Sequence, residues 1–185
     1  MMVKICGITR REDAEMCVIA GASAIGFVFY PSSPRHVTPE RAAELGEDLK
    51  VWKVGVFVNE TAASVEAVMR AAKLDIAQIY GGEAPSGARV WKAFRLSSAL
   101  DPALARGAEA LLLDGPANGK AFDWALAKDA AERVIVAGGL DASNVTDAIR
   151  TVQPWGVDAS SKLESAPGVK DHEKIRRFVE AAISI

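Results

Sequence analysis

Two cysteines, two histidines and no long apolar run exclude several classes of protein at once. Cys6 and Cys17 cannot build a disulfide framework. His36 and His172 share no metal-ligand spacing with each other or with the cysteines, so no metal is assigned. The longest hydrophobic stretches fall far short of the roughly 20 residues that a membrane-spanning helix needs. Met1-Met2 opens no signal-peptide pattern. A dominant charge is lacking too: 22 basic and 24 acidic residues leave a net charge of −2, with the two signs interspersed. No basic stripe points to nucleic acid, and no acidic tail points to disorder. These absences predict a cytoplasmic globular protein with neither a nucleic-acid nor a membrane partner.

What is present is apolar sequence in short pieces. Half of the 185 residues are hydrophobic, enough for one sizeable core, and residues 1–185 read as a single domain. Val3-Lys4-Ile5-Cys6-Gly7-Ile8-Thr9 reads as a first strand with Cys6 at its carboxyl end. Thr9 is suited to cap the helix that follows, which runs to Gly21, and Cys17 falls in that helix's apolar stripe. Further strands are predicted over Ala24–Tyr30, Trp52–Asn59, Asp75–Tyr80, Arg89–Phe94, Ala108–Asp114, Val134–Ala137 and Gly156–Ala159. Helices are predicted from Thr38-Pro39-Glu40, over Thr61–Ala72, Ser97–Arg106 and Asp123–Arg133, from Asp141 to before Pro154, and over Asp171–Ile185. Gly81 to Ala88 is too short and too rich in breakers for a helix. Eight strands alternating with helices imply a closed (β/α)8 TIM barrel, an α/β fold, with its fourth helix missing or vestigial. The rival, an open doubly wound sheet, wants a glycine-rich fingerprint after the first strand that Gly7 alone does not supply.

Sites in such barrels collect at the carboxyl ends of the strands. Those ends carry Cys6, Arg35, Tyr80, Asp114, Gly138, Gly139, Asp158, Ser160 and Ser161. The last two strand ends are the usual phosphate quarter, where bare backbone N–H groups meet an anion. A short extra helix over Leu163–Ser165 is predicted to aim its positive end there. Asp114 ends the run Ala110-Leu111-Leu112-Leu113, where lost solvation raises a carboxyl's pKa and suits it to general acid work. Cys6 suits a base through its thiolate, favoured by Lys4 or nearby N–H dipoles. Arg35, in a proline-framed loop, suits a carboxylate. Each has a plainer reading: an inert buried cysteine, a loop-capping aspartate, a solvated arginine, a turn and a helix cap.

Lys4-Ile5-Cys6-Gly7-Ile8-Thr9, Gly26-Phe27-Val28-Phe29-Tyr30 with Ser33-Pro34-Arg35, and Val54-Gly55-Val56-Phe57-Val58-Asn59 resemble phosphoribosylanthranilate isomerases of tryptophan biosynthesis. So do Leu112-Leu113-Asp114, Gly119-Lys120-Ala121-Phe122-Asp123-Trp124, Ala137-Gly138-Gly139-Leu140, and Val157-Asp158-Ala159-Ser160-Ser161 with Pro167-Gly168-Val169-Lys170-Asp171. The resemblance spans the chain in order. It implies a barrel without cofactors, acting as monomer or homodimer on a small phosphorylated substrate. That enzyme converts N-(5-phosphoribosyl)anthranilate to 1-(2-carboxyphenylamino)-1-deoxyribulose 5-phosphate by an Amadori rearrangement. By motif, Cys6 is the base, Asp114 the acid, Arg35 the carboxylate ligand, and the Gly138-Gly139 and Ser160-Ser161 backbones the phosphate cradle. Four departures stand out: Tyr80 replaces a histidine, the fourth helix is nearly deleted, the loop after Asp114 is short, and Lys162 follows Ser160-Ser161 where glycine is usual. The shortened loop and the missing helix leave open a barrel that binds a sugar phosphate without efficient turnover. A related histidine-pathway isomerase would want paired aspartates, and Cys6 stands where one of them would be.

Overall fold

The computed structural model describes residues 1–96, 101–115, 124–128 and 130–185. Strands β1 (Met2–Cys6), β2 (Ala24–Val28), β3 (Trp52–Val58), β4 (Ile76–Tyr80), β5 (Val90–Arg95), β6 (Ala110–Asp114), β7 (Val134–Val136) and β8 (Gly156–Ala159) pair in parallel in chain order. β8 returns to β1, with Val3 opposite Val157 and Lys4 opposite Asp158, and the barrel is closed. Helices α1 (Arg11–Ala20), α2 (Pro39–Gly46), α3 (Ala62–Ala71), α4 (Val145–Val152) and α5 (His172–Ile183) lie outside it. A hairpin, β9 (Glu164–Ala166) with β10 (Val169–Lys170), precedes α5.

Both faces of each strand are buried, which is why the strands read as nearly continuous apolar runs. Alternation sorts the side chains into two layers. Outward residues such as Val3, Ile5, Ile25, Phe27 and Phe57 pack under the helices with Val65, Ile149, Ile175 and Phe178. Inward residues such as Met2, Val54, Ile76, Trp91, Leu112 and Ile135 fill the barrel. At the amino-terminal end Trp52 stacks on Trp155 at 6.3 Å, and Trp91 meets Trp155 edge-on at 5.9 Å. Arg89 lies over Trp52 and Arg133 over Trp155, at 4.6 and 5.3 Å from the ring centroids. This aromatic floor closes one end of the barrel and leaves the other for the site.

The predicted gap in the helical wall is present, and two further connections differ from expectation among the described residues. Residues 81–88 contain no helix. Gly81 and Gly82 take positive φ, and a Cβ on Gly82 would lie 2.4 Å from the Glu60 carbonyl. This connection therefore folds back onto the β3–α3 loop, where Glu83 N–H donates to Glu60 O. The helix predicted over 97–106 is a single 3₁₀ turn, Pro102–Ala105, with residues 97–100 outside the described set. Pro102 disfavours helix at the residue before it, and Gly107 ends the turn in the left-handed region. The helix predicted over 123–133 is, among its described residues, a 3₁₀ turn, Trp124–Ala127, followed by a turn at 128 and bends at 130–133, with residues 123 and 129 outside the described set.

Three smaller expectations also change. Thr9 does not cap α1: its hydroxyl donates to Gly168 O, and Arg10 is the N-cap without a side-chain capping bond. Asp141 instead accepts from Ser143 N–H in a turn that delays α4 to Val145. The helix predicted over Leu163–Ser165 is a 3₁₀ turn at Ser161–Leu163, after which Glu164 enters β9 and pairs with Lys170.

The carboxyl end of the chain is tied to its beginning through Asp13, which is fully buried. It accepts from Arg10 Nε and Nη2, from the Lys170 N–H at 3.0 Å, and faces His172 Nε2 at 2.9 Å. Burial works to raise its pKa, but Arg10, Lys170 and His172 together hold it below the ordinary value. A carboxyl with a lowered folded pKa stabilises fully above its unfolded value, about 4, and loses that contribution as pH falls through the folded value. Asp13→Asn is expected to cost roughly 2 kcal/mol near neutrality. It should also flatten the acid-side loss of stability, as measured by urea midpoints at pH 7 and pH 3.

Candidate active site

The open end of the barrel holds a cleft with two lobes that share Arg35, Tyr80, Arg95, Asp114 and Ser160. One lobe, about 530 Å³, is lined by Cys6, Gln78, Gly138, Gly139, Asp158 and Ser161 as well. The other, about 590 Å³, adds the apolar Val28, Val58, Ala93 and Phe94. All nine residues named from the sequence line one or both lobes. The reason is alternation: the inward positions at the last turn of β1, β4 and β6 are Cys6, Tyr80 and Asp114, and the β7 and β8 ends add their loops.

Cys6 sits above a buried charge pair. Lys4 is fully buried, and its Nζ lies 3.0 Å from Asp158 Oδ1 on the neighbouring strand. Room for these long side chains comes from Gly26 on β2, where a Cβ would stand 2.9 Å from Cys6 Sγ and 3.1 Å from Lys4 Cε. Burial works to lower the Lys4 pKa, but Asp158 and Cys6 outweigh it and keep the ammonium charged. Burial pushes the Cys6 thiol up; Lys4 pulls it down without prevailing. Lys4 thus acts on the thiol in the expected direction, but burial outweighs it. Cys17, buried in α1, is pushed up to about 12 by burial and has no access to the cleft.

Burial also raises the Asp114 carboxyl, reinforced by the Asp158 charge and opposed by Arg95, Tyr80 and the Gly115 N–H. Tyr80 OH donates to Asp114 Oδ2 at 3.3 Å, so the tyrosine reaches the same carboxyl. Burial and the Asp114 charge push the Tyr80 phenol well above its ordinary value, so it remains a donor. Gly138 makes the close fit here: its φ is +91°, and a Cβ would lie 2.2 Å from Gly115 N and 3.0 Å from Asp114 Oδ1.

Among the described residues, neither Gly139 nor Ser161 gives its N–H to another group of the chain. Gly139 O is held by Asn144 Nδ2 at 2.9 Å, and Ser160 Oγ donates to Cys6 O at 3.0 Å, fixing both loops. Lys162 does not face this lobe; it borders a separate shallow pocket with Asp141, Lys174 and Arg177. The Arg35 fork, read as free for a ligand, is half taken: Nε and Nη2 each donate to Glu164 at 2.7 Å. Asn118 to Lys120, in the short loop after Asp114, lie outside the described residues. Arg95 was missed because the predicted fifth strand ended at Phe94, one residue short of the inward position at its tip.

The family model for N-(5'-phosphoribosyl)anthranilate isomerase matches residues 3–181. The chain is 51% identical over 194 residues to the N-(5'-phosphoribosyl)anthranilate isomerase of Solibacter usitatus, covering 98% of this chain and 97% of that one. Monomers generated from a dimeric phosphoribosylanthranilate isomerase of Thermotoga maritima superpose with a TM-score of 0.90 at 39% identity, over 100% of both chains. A phosphoribosylanthranilate isomerase in complex with reduced 1-(o-carboxyphenylamino)-1-deoxyribulose 5-phosphate superposes with a TM-score of 0.88 at 37% identity, again over 100% of both.

Gly138→Ala should force either the positive φ or the Gly115 backbone to yield. A loss of roughly 1–3 kcal/mol in denaturant unfolding is expected, whereas an alanine in a relaxed turn would leave the midpoint unchanged.

Proposed function

The chain belongs to the N-(5'-phosphoribosyl)anthranilate isomerase family, and we propose how its cleft performs the reaction. The enzyme isomerises N-(5-phosphoribosyl)anthranilate to 1-(2-carboxyphenylamino)-1-deoxyribulose 5-phosphate in tryptophan biosynthesis. The observation that carries the assignment of roles is that Cys6 and Asp114 line one cavity together with the Gly138-Gly139 and Ser160-Ser161 loops.

The phosphate binds against the N–H groups of Gly139 and Ser161, and the aryl ring enters the apolar lobe beside Val28, Val58 and Phe94. Arg35, at the junction of the lobes, takes the anthranilate carboxylate. Asp114 in its protonated form gives its proton to the ribose ring oxygen, and the ring opens to a Schiff base. Cys6, whose thiol has first given up its proton to solvent, then removes the proton from sugar C2 as the thiolate, and the resulting enolamine tautomerises to the ketone. The raised Asp114 pKa favours the acid form, and Tyr80 orients the carboxyl. Lys4 stabilises the Cys6 thiolate as it forms, against the cost of burial. Asp158 keeps Lys4 charged. No cofactor enters these steps, and every role is filled by one chain, so a monomer and a homodimer would carry the same site. Residues 1–185 act as one barrel domain, in the cytoplasm; no described helix is long and apolar enough to cross a membrane.

Cys6→Ser retains size and loses the base, and Asp114→Asn retains shape and loses the proton. Each should lower kcat by about 10²–10⁴-fold with the melting temperature little changed. Near-normal turnover in Cys6→Ser would sink the mechanism. Both groups titrate above their ordinary ranges. The kcat/KM profile should therefore fall on the acid side through a value above the usual carboxylate range, and on the alkaline side through one above the usual thiol range. Inorganic phosphate at millimolar concentration should compete with substrate; absence of competition would refute the proposed cradle.

A further inference from the structure

Arg35 is held in a three-member charge group. Glu164 accepts from Arg35 Nε and Nη2 at 2.7 Å each. Lys170 Nζ donates to the same carboxylate at 2.9 Å and to Ser160 O at 3.2 Å. The Glu164 and Lys170 side chains are 6% and 0% exposed, while Arg35 keeps 21%. The Arg35 stem lies across Gly7, where a Cβ would meet Arg35 Cδ at 2.4 Å. The hairpin that carries Glu164 and Lys170 is itself fixed, because Lys170 N–H donates to buried Asp13.

Two consequences follow from this geometry. The side edge of the guanidinium, Nε with Nη2, is occupied by Glu164, which leaves the end edge, Nη1 with Nη2, for a ligand. The group contains two cations and one anion, so one positive charge is unmatched within it, and Arg35 is the member that reaches the cleft.

We infer that Glu164, backed by Lys170, is a positioning residue that sets the end edge of Arg35 to select a carboxylate on the aryl ring of the substrate. This rests on the reading of Arg35 as the carboxylate ligand. Glu164→Gln would place an amide N–H₂ against Arg35 or Lys170, donor facing donor. With one oxygen left for two cations, the Arg35 edge would be displaced.

The experiment measures inhibition by reduced 1-(o-carboxyphenylamino)-1-deoxyribulose 5-phosphate and by the same compound lacking the carboxyl group. A two-point charged contact implies that the carboxylated compound binds the unaltered enzyme more tightly by about 10–100-fold. In Glu164→Gln this ratio should fall toward one. Inhibition by the carboxyl-free compound and by inorganic phosphate should hold within about threefold, because the Glu164 side chain bonds Arg35 and Lys170 and not the Gly139 or Ser161 N–H groups. KM for substrate should rise more than kcat falls. Glu164→Asp keeps the charge on Lys170 but shortens the reach, so it should fold and still show a reduced ratio. It carries the test if the glutamine variant does not fold. Arg35→Met separates the two ideas: an unchanged ratio there overturns the reading of Arg35. A ratio lost in Arg35→Met but kept in both Glu164 variants overturns the role of Glu164.

Discussion

The ion pair between Lys4 and Asp158 joins residues 154 positions apart, at the seam where the last strand of the barrel meets the first. Both groups are buried, so their removal from water costs more than a surface pair would. Apolar residues would hold the seam at least as well. What the pair adds is a contact satisfied in one register only, together with a fixed positive charge directly beneath Cys6. Barrel closure and the electrostatics of the cleft are thus one arrangement: displacing β8 along β1 would undo both.

Glycine positions follow from this crowding. Gly26 makes room for Lys4 and Cys6, Gly7 for the Arg35 stem, and Gly138 for the approach of the β7 loop to Asp114. Each one lies where a side chain from another strand or loop must pass, so the site is assembled as much by the side chains these positions lack as by those around them.

Alternation made much of this legible in advance. Strand ends can be located from β-branched runs and the glycines that follow them, and the inward parity then names Cys6, Tyr80 and Asp114. Legibility failed in two physical circumstances. Short connections such as 102–105 and 124–127 contain helix-forming residues, yet their form depends on how much apolar surface the neighbouring strands offer, which local sequence does not state. Interactions between distant residues were also hidden. The partner of Arg35 lies 129 residues away, and the direction of the Cys6 thiol pKa is set by burial rather than by adjacent Lys4.

The aromatic floor has an optical consequence. Three of the four tryptophans, Trp52, Trp91 and Trp155, are gathered at the end of the barrel opposite the cleft, two of them beneath arginine guanidiniums. Their emission reports the integrity of that end of the cylinder, whereas Trp124, on the outer wall, senses a different surrounding. Intrinsic fluorescence thus separates a loss of barrel closure from an event in the cleft, two changes that a single activity reading would merge.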